Sequence, residues 1–357
     1  MRSRGRVAVF PAYSDNPYVN LLTLAARARG YRFVDSTSLE GLERDSAGLG
    51  RGDALHVHWT SPIVQRADTG AEAAERLARF RAAVDGAAER GASVLWTLHN
   101  VLPHDVRHEA LELELCRYLA GRADVLHGMT PDVVEAAAPL YALDPAKLVV
   151  IPHPSYQGVY PSELTRSDAR AALDIADGER AVLFFGQMRP YKGLSDLLDA
   201  VGESTSRERV VLLLAGRTSD DDRAALDARL PAGVRAVRHH SHVNDADVQR
   251  WFRAADVAVL PYRRVLNSGT LHLASTFGVP VILPDEPHLR RSFGDEPWIS
   301  WFDPSDAVGA IARRLDELGD RVVPDPAAEA FSHRLAPYAL SDAYADLLDS
   351  MLHERQA

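Results

Sequence analysis

Two cations follow one oily run. In FFGQMRPYKG (184–193), Arg189 and Lys192 stand between an apolar stretch that ends on Gly186 and an amphipathic segment. A helix start offers unpaired backbone N–H groups and a positive dipole end, which favours an anion. A forked guanidinium and a compact ammonium add charge-assisted bonds that suit two adjacent phosphates. A solvated loop with two surface cations has the same sequence, so the motif alone leaves both readings open. NSGT (267–270) repeats the arrangement after a later apolar run: Ser268 can cap, Gly269 admits close approach to the backbone, and a helix opens at Thr270. Two such places in one half of the chain point to a diphosphate, with an ordinary strand-to-helix turn as the alternative. Neither is a GxxxxGK[ST] phosphate loop.

The other half carries histidines. TLHNVLPHD (97–105) places His99 and Asn100 at a strand end, with His104 and His108 nearby and His56 and His58 in ALHVHW. An imidazole there can accept a proton or hold a hydroxyl, although each histidine singly also fits a structural role. Asp15 in YSDNP is the acid near the end of the first strand, a rival general base beside Asn16. HHSH (239–242) lacks the spacing of a closed zinc site, so no metal is expected.

These groups need a folded, water-soluble frame to hold them. With 46% hydrophobic and 25% charged residues over 357 positions, the chain has the balance of one large or two ordinary globular domains. A formal net charge of −10 argues against general nucleic-acid binding. One cysteine, Cys116, excludes an intrachain disulfide framework and reads as a reducing, cytoplasmic setting. The N-terminal apolar run is too short for a signal peptide, and no run is long enough to span a membrane. The arginines of AERLARFRAAVDGAAERG (74–91) fit a solvated face, with peripheral contact at the inner membrane face as the alternative.

Short β-rich runs alternate with amphipathic helices. RVAVF (6–10), ALHVHW (54–59), SVLWTLH (93–99), DVLHGM (124–129) and KLVVIP (147–152) read as strands; Asn16-Pro17 opens a helix, and another covers 71–90. The series restarts with AVLFFG (181–186), VVLLLAG (210–216), VRAVRHH (234–240), DVAVLPY (256–262) and VPVIL (279–283), with helices at 219–230, 245–255 and 270–278. The pattern predicts two doubly wound α/β domains, 1–155 and 156–330, joined near the Pro- and Tyr-rich stretch 153–165. A helical segment, 331–357, is placed to pack back across the N-terminal domain. Ligands of such sheets sit beyond the carboxyl ends of the strands. That selects Tyr13 to Asn16, His58 to Ser61, His99 to Asp105, Gln187 to Lys192, Arg217, His239 to Val243 and Tyr262 to Thr270.

With these residues in hand, the chain resembles the GT-B glycosyltransferases, especially the large retaining group. The resemblance covers most of the chain in element order and is strongest over FFGQMRPYKGLSDLLDAV, LLLAGR, VQRWFRAADVAVLPY and FGVPVILP. It implies two Rossmann-like domains facing across a cleft. The C-terminal one would bind a nucleotide-diphosphate sugar and the N-terminal one the acceptor. Lys192 has the family spacing from Gly186, whereas Arg189 is shifted two places and Gln187 stands where the arginine usually is. The family's paired glutamates are absent: Val265 and Leu273 occupy their places. NSGT, NPYVNLL and TLHN instead look like a subgroup in which Ser268, Gly269 and Thr270 meet the diphosphate. The lost acids leave the sugar and the anomeric outcome open.

The resemblance implies nucleotide contacts at Gly186, Arg217, His242 and Val243, reacting hydroxyls near His99 or Asp15, and acceptor contacts at Asn16, His58 and Asn100. The expected activity is metal-independent hexosyl transfer from a GDP- or UDP-sugar to a saccharide or lipid-linked acceptor, in surface polysaccharide or glycoconjugate synthesis, with no cofactor. A sugar-nucleotide epimerase of the same fold and a non-catalytic nucleotide-sugar-binding protein are the alternatives.

Overall fold

A computed structural model describes residues 4–14, 16–319 and 323–353. The chain divides into two compact units: residues 1–154 with 337–357, and residues 155–336. The break within the C-terminal segment falls after Ala336, six residues beyond the predicted end of the second domain.

The first unit contains six parallel strands: β1 (Arg6–Phe10), β2 (Arg32–Asp35), β3 (Ala54–Val57), β4 (Ser93–Leu98), β5 (Val125–Gly128) and β6 (Leu148–Val150), in the order β2-β1-β3-β4-β5-β6. The second contains β7 (Arg180–Phe185), β8 (Val210–Ala215), β9 (Arg235–His239), β10 (Val257–Val259), β11 (Val281–Pro284) and β12 (Ile299–Phe302), in the order β12-β11-β10-β7-β8-β9, also all parallel. Helices cover both faces of such sheets, so central strands such as VVLLLA are buried at every position. Two strands, β2 and β12, go beyond those that the sequence pattern predicts. Each is an edge strand, and β2 exposes most of its residues, so neither carries the long apolar run that marks an interior strand. ALHVHW overshoots: β3 ends at Val57, placing His56 inside the strand and His58 just past it.

In each sheet one pair of neighbouring strands marks where the chain reverses its direction of travel across the sheet. In the first unit β1 pairs with both β2 and β3; in the second β7 pairs with both β8 and β10. Loops leaving such a pair diverge to opposite sides and open a crevice at the carboxyl ends.

The C-terminal helix, Pro337–His353, belongs to the first unit. Tyr344, Ala345, Leu348 and Leu352 join Tyr18, Leu22 and Ala26 of the helix Tyr18–Ala28 in one core. Arg29 locks its outer face, pairing with Asp342, with Asp346 at 2.6 Å and with Asp349 at 2.9 Å.

Candidate active site

In the second unit, the loops after β7 and β10 are bound to each other. The Arg263 N–H donates to the Tyr191 carbonyl at 2.9 Å, and its guanidinium takes both oxygens of Asp196 at 2.7 and 3.0 Å. That pairing offsets the acid in the first turn of the helix Leu194–Glu203, which would otherwise repel an anion. Gly193 caps that helix with φ 68°, and no side chain caps its amides. A Cβ on Gly193 would fall 1.9 Å from the Pro261 carbonyl oxygen, so only glycine allows the two loops this approach. Gly193→Ala is therefore expected to cost about 3 kcal/mol or more in denaturant unfolding, from left-handed strain plus a backbone clash. Gly202→Ala, whose Cβ would meet Pro231 at an ordinary 3.6 Å, should be neutral or slightly stabilising.

Lys192 reaches back over Gly186. Its Nζ lies 3.0 Å from where a Gly186 Cβ would be, Thr270 Oγ1 is 3.9 Å from the same point, and the Tyr262 ring centroid is 5.7 Å from Nζ. Among the described residues no carboxylate pairs with Lys192. Tyr262 accepts from Ser268 Oγ at 3.3 Å, and Ser268 Oγ accepts from the Leu271 N–H at 3.3 Å. Ser268 thus caps the helix Gly269–Thr276, as its type suggests, and its hydroxyl is engaged inside the protein. Lys192, Gly186 and Thr270 come together at the β7–β10 switch point. Arg189 is exposed and donates from Nε to Gln187 Oε1 at 3.0 Å.

The neighbouring strand end carries the remaining predicted nucleotide contacts. The carbonyl of exposed Arg217 accepts from the Met188 N–H at 2.9 Å. His242 is exposed, and its carbonyl accepts from His239 Nε2 at 3.2 Å, while Val243 is buried. His240 lies in the stretch His239 to Val243: its Nδ1 meets Thr218 Oγ1 at 3.1 Å, and its buried Nε2 has no partner among the described residues.

The first unit's site is a buried chain of imidazoles. His127 Nε2 lies 3.1 Å from the Ile151 carbonyl, which can only accept, so this nitrogen donates. Burial lowers His127 to about 4, and the neutral ring then accepts at Nδ1 from Thr97 Oγ1 at 2.9 Å. Thr97 in turn accepts from His56 Nε2 at 2.6 Å, and His56 Nδ1 accepts from Tyr344 Oη at 2.8 Å. Every proton in the series Tyr344–His56–Thr97–His127–Ile151 has one possible place. Thr97→Val removes both bonds of the central hydroxyl at constant shape. It should destabilise the first unit by about 2–5 kcal/mol in urea unfolding, because a donor and an acceptor are left buried.

His58 and His99 form a second pair, Nδ1 to Nε2, at 3.0 Å. Trp59 stacks on His99 at 4.0 Å between centroids and 16° between planes, and Tyr18 meets its edge at 5.0 Å. Tyr13 packs on Trp59 at 5.5 Å, so three rings gather at the ends of β1, β3 and β4. Trp59 and Thr97 were missed from sequence, since a tryptophan at a strand end and a threonine inside a strand look like packing. Burial, with the neighbouring histidines, pushes His56 and His99 well below 6.5 and His58 to about 3, so these rings are neutral at pH 7. Asn16 Oδ1 accepts from the Tyr18 N–H at 3.0 Å, and Asn100 is half-buried after His99. Asp15 lies outside the described residues.

Among the described residues, no three His, Cys, Asp or Glu side chains group to hold an ion, and no helix is long and apolar enough to cross a membrane. Cys116 is buried, and burial lifts its thiol to about 12.

Residues 179–320 match the family model described as Glycosyl transferases group 1. A GDP-mannose:glycolipid 4-beta-D-mannosyltransferase of Xanthomonas campestris pv. campestris is 25% identical over 340 residues, covering 91% of this chain and 85% of that protein. A D-inositol 3-phosphate glycosyltransferase of Streptosporangium roseum is 26% identical over 251 residues, 65% of this chain and 57% of the relative. Among solved structures, Anabaena HepE in complex with UDP and glucose superposes with TM-score 0.73 at 14% identity, over 96% of this chain and 99% of that one. Sucrose-phosphate synthase of Thermosynechococcus elongatus gives 0.70 at 17%, over 98% and 100%.

Proposed function

From the premise that this chain is a glycosyltransferase of the GT-B fold, we propose that it transfers a hexosyl group from a GDP- or UDP-sugar to a saccharide or lipid-linked acceptor. The observation that carries this reading is the ammonium of Lys192, which pairs with no carboxylate among the described residues and is held over Gly186 beside Thr270 where two helix starts meet. A nucleoside diphosphate leaving group gains negative charge in the transition state, and preorganised donors that meet that charge lower the barrier. Lys192, the Thr270 hydroxyl and the first-turn amides of the helices Leu194–Glu203 and Gly269–Thr276 supply them without a metal ion. Arg189 adds charge from the exposed rim, Gly186 admits close approach, and Arg217, His242 and Val243 serve the nucleoside.

On the acceptor side we assign Asn16 and Asn100 to hold the acceptor and His99 to hold reacting hydroxyls; His58, expected from sequence to touch the acceptor, is only 2% exposed and bonded to His99, so it acts through that ring. An imidazole held well below its ordinary pKa is a poor base at pH 7, which leaves the acceptor's proton to Asp15. The glycolipid acceptor named for the Xanthomonas relative supports a role in surface glycoconjugate synthesis with contact at a membrane face.

The test is an incubation of nucleotide sugars with and without glycolipid and oligosaccharide acceptors, in the presence of EDTA. The reading expects acceptor-dependent release of a nucleoside diphosphate that EDTA leaves intact. Conversion of the donor sugar with no acceptor present would point to an epimerase, and release that EDTA abolishes would end the metal-free account.

A further inference from the structure

Resting on the glycosyl-transfer reading above, we infer that His58 is a positioning residue that fixes His99 as the tautomer with its proton on Nδ1, so that His99 meets substrate as a hydrogen-bond donor. One proton is shared between the two rings. His58 Nδ1 and His99 Nε2 are 3.0 Å apart, and between two neutral rings only one of these nitrogens can hold the hydrogen.

The other nitrogen of His58 decides which. His58 is 2% exposed, and its buried Nε2 has no partner among the described residues. If His99 donated, His58 would carry its own proton on Nε2, leaving a buried N–H unsatisfied. If His58 donates from Nδ1, only a lone pair is left bare. Orphaned buried N–H groups are rarer than under-used acceptors, so the second arrangement prevails. His99 Nε2 then accepts, and the neutral ring must bear its proton on Nδ1.

The rings are held to this choice. Trp59 covers one face of His99, Tyr18 fills its edge, and His56 lies 3.9 Å from His58, so neither imidazole can turn to exchange its nitrogens without displacing a packed neighbour. The chain through Thr97 fixes His56 from the far side, so the orientation of His58 is inherited from the β3–β4–β5 core. An N–H at the end of this support holds a sugar oxygen and does not take a proton from it.

Imidazole nitrogen shifts separate the two tautomers, so the experiment is long-range proton–nitrogen NMR on the full-length protein at pH 7.5, with His99 assigned by its loss in His99→Gln. The expected spectrum shows His99 protonated at Nδ1 in the free protein. His58→Phe should release the preference and lower kcat about 10–100-fold, with the dissociation constant of the nucleoside diphosphate unchanged. His58→Asn, whose amide can donate from the place of Nδ1, should restore the Nδ1–H signature and most of kcat. A wild-type His99 protonated at Nε2, or charged at pH 7.5, overturns the inference. An Nδ1–H tautomer in a protein that turns over no nucleotide sugar overturns the functional reading and leaves the tautomer assignment standing.

Discussion

Lys192→Ala is expected to lower kcat/KM for glycosyl transfer by about 10²–10³-fold, the scale seen when one preorganised donor to a developing anion is removed. The ground for so large an effect is the ammonium's setting. It is half-buried, and among the described residues no carboxylate neutralises it; the Tyr262 ring is its aromatic neighbour. Lys192→Arg should lose nearly as much. The Nζ already stands 3.0 Å from the Cβ position of Gly186, and a planar guanidinium needs more room than a point ammonium in that gap. The chain's own usage points the same way: of 40 cationic residues only Lys147 and Lys192 are lysines. Lys147 donates to the carbonyls of Gly121 and Ala123 at 3.0 and 2.9 Å, near the end of the helix Glu109–Arg122. Steady-state kinetics on both variants checks the prediction, and retention of more than a tenth of wild-type kcat/KM by Lys192→Ala would contradict it.

The first unit should unfold in mild acid. His58 is held at about 3, His127 and His153 at about 4, and His56 and His99 well below 6.5, in each case mainly because burial opposes the charged form. Above pH 6.5 the rings are neutral in both folded and unfolded chains, and they contribute no pH dependence. As pH falls from 6.5 toward 4, the unfolded chain takes up protons that the folded chain refuses, and stability falls. Each such histidine costs about 1.4 kcal/mol per pH unit in this window. Several acting together can remove the roughly 5–15 kcal/mol margin of an ordinary domain within about two pH units. Buried Glu112 acts in the opposite sense: burial raises its carboxyl above 4.5, so the folded state takes that proton first. One group does not offset five. Urea midpoints measured between pH 7.5 and 5 should give uptake of at least about two protons on unfolding near pH 5.5. A flat profile would contradict the neutral-histidine network.

Interior parallel strands were plain in the sequence because each is a continuous apolar run, VVLLLA above all. Two of the four edge strands were not: RFVD is polar enough to pass for a turn, and ISWF follows a loop with no periodic partner. The stretches at the strand ends were legible, since they depend only on where apolar runs stop. Less of the chemistry was legible. Lys192 is marked in the sequence by its spacing from Gly186, and the scarcity of lysine in the chain is a second signal. Tyr262, Trp59 and Thr97 carry no motif, and they matter only through what folding sets against them: an ammonium, an imidazole face and two buried histidines. The direction of the proton series could not be read from sequence at all, because it is dictated by the Ile151 carbonyl at its far end.

The most direct test of the donor assignment is a calorimetric titration of the protein and of Lys192→Ala with GDP, UDP and their hexose conjugates, without divalent metal. The predicted result is saturable binding of at least one nucleoside diphosphate, weakened about tenfold or more in Lys192→Ala, as loss of a charge-assisted bond of about 1.5–3 kcal/mol requires. Equal affinity in the two proteins, or no binding of any of these ligands at millimolar concentration, would contradict it.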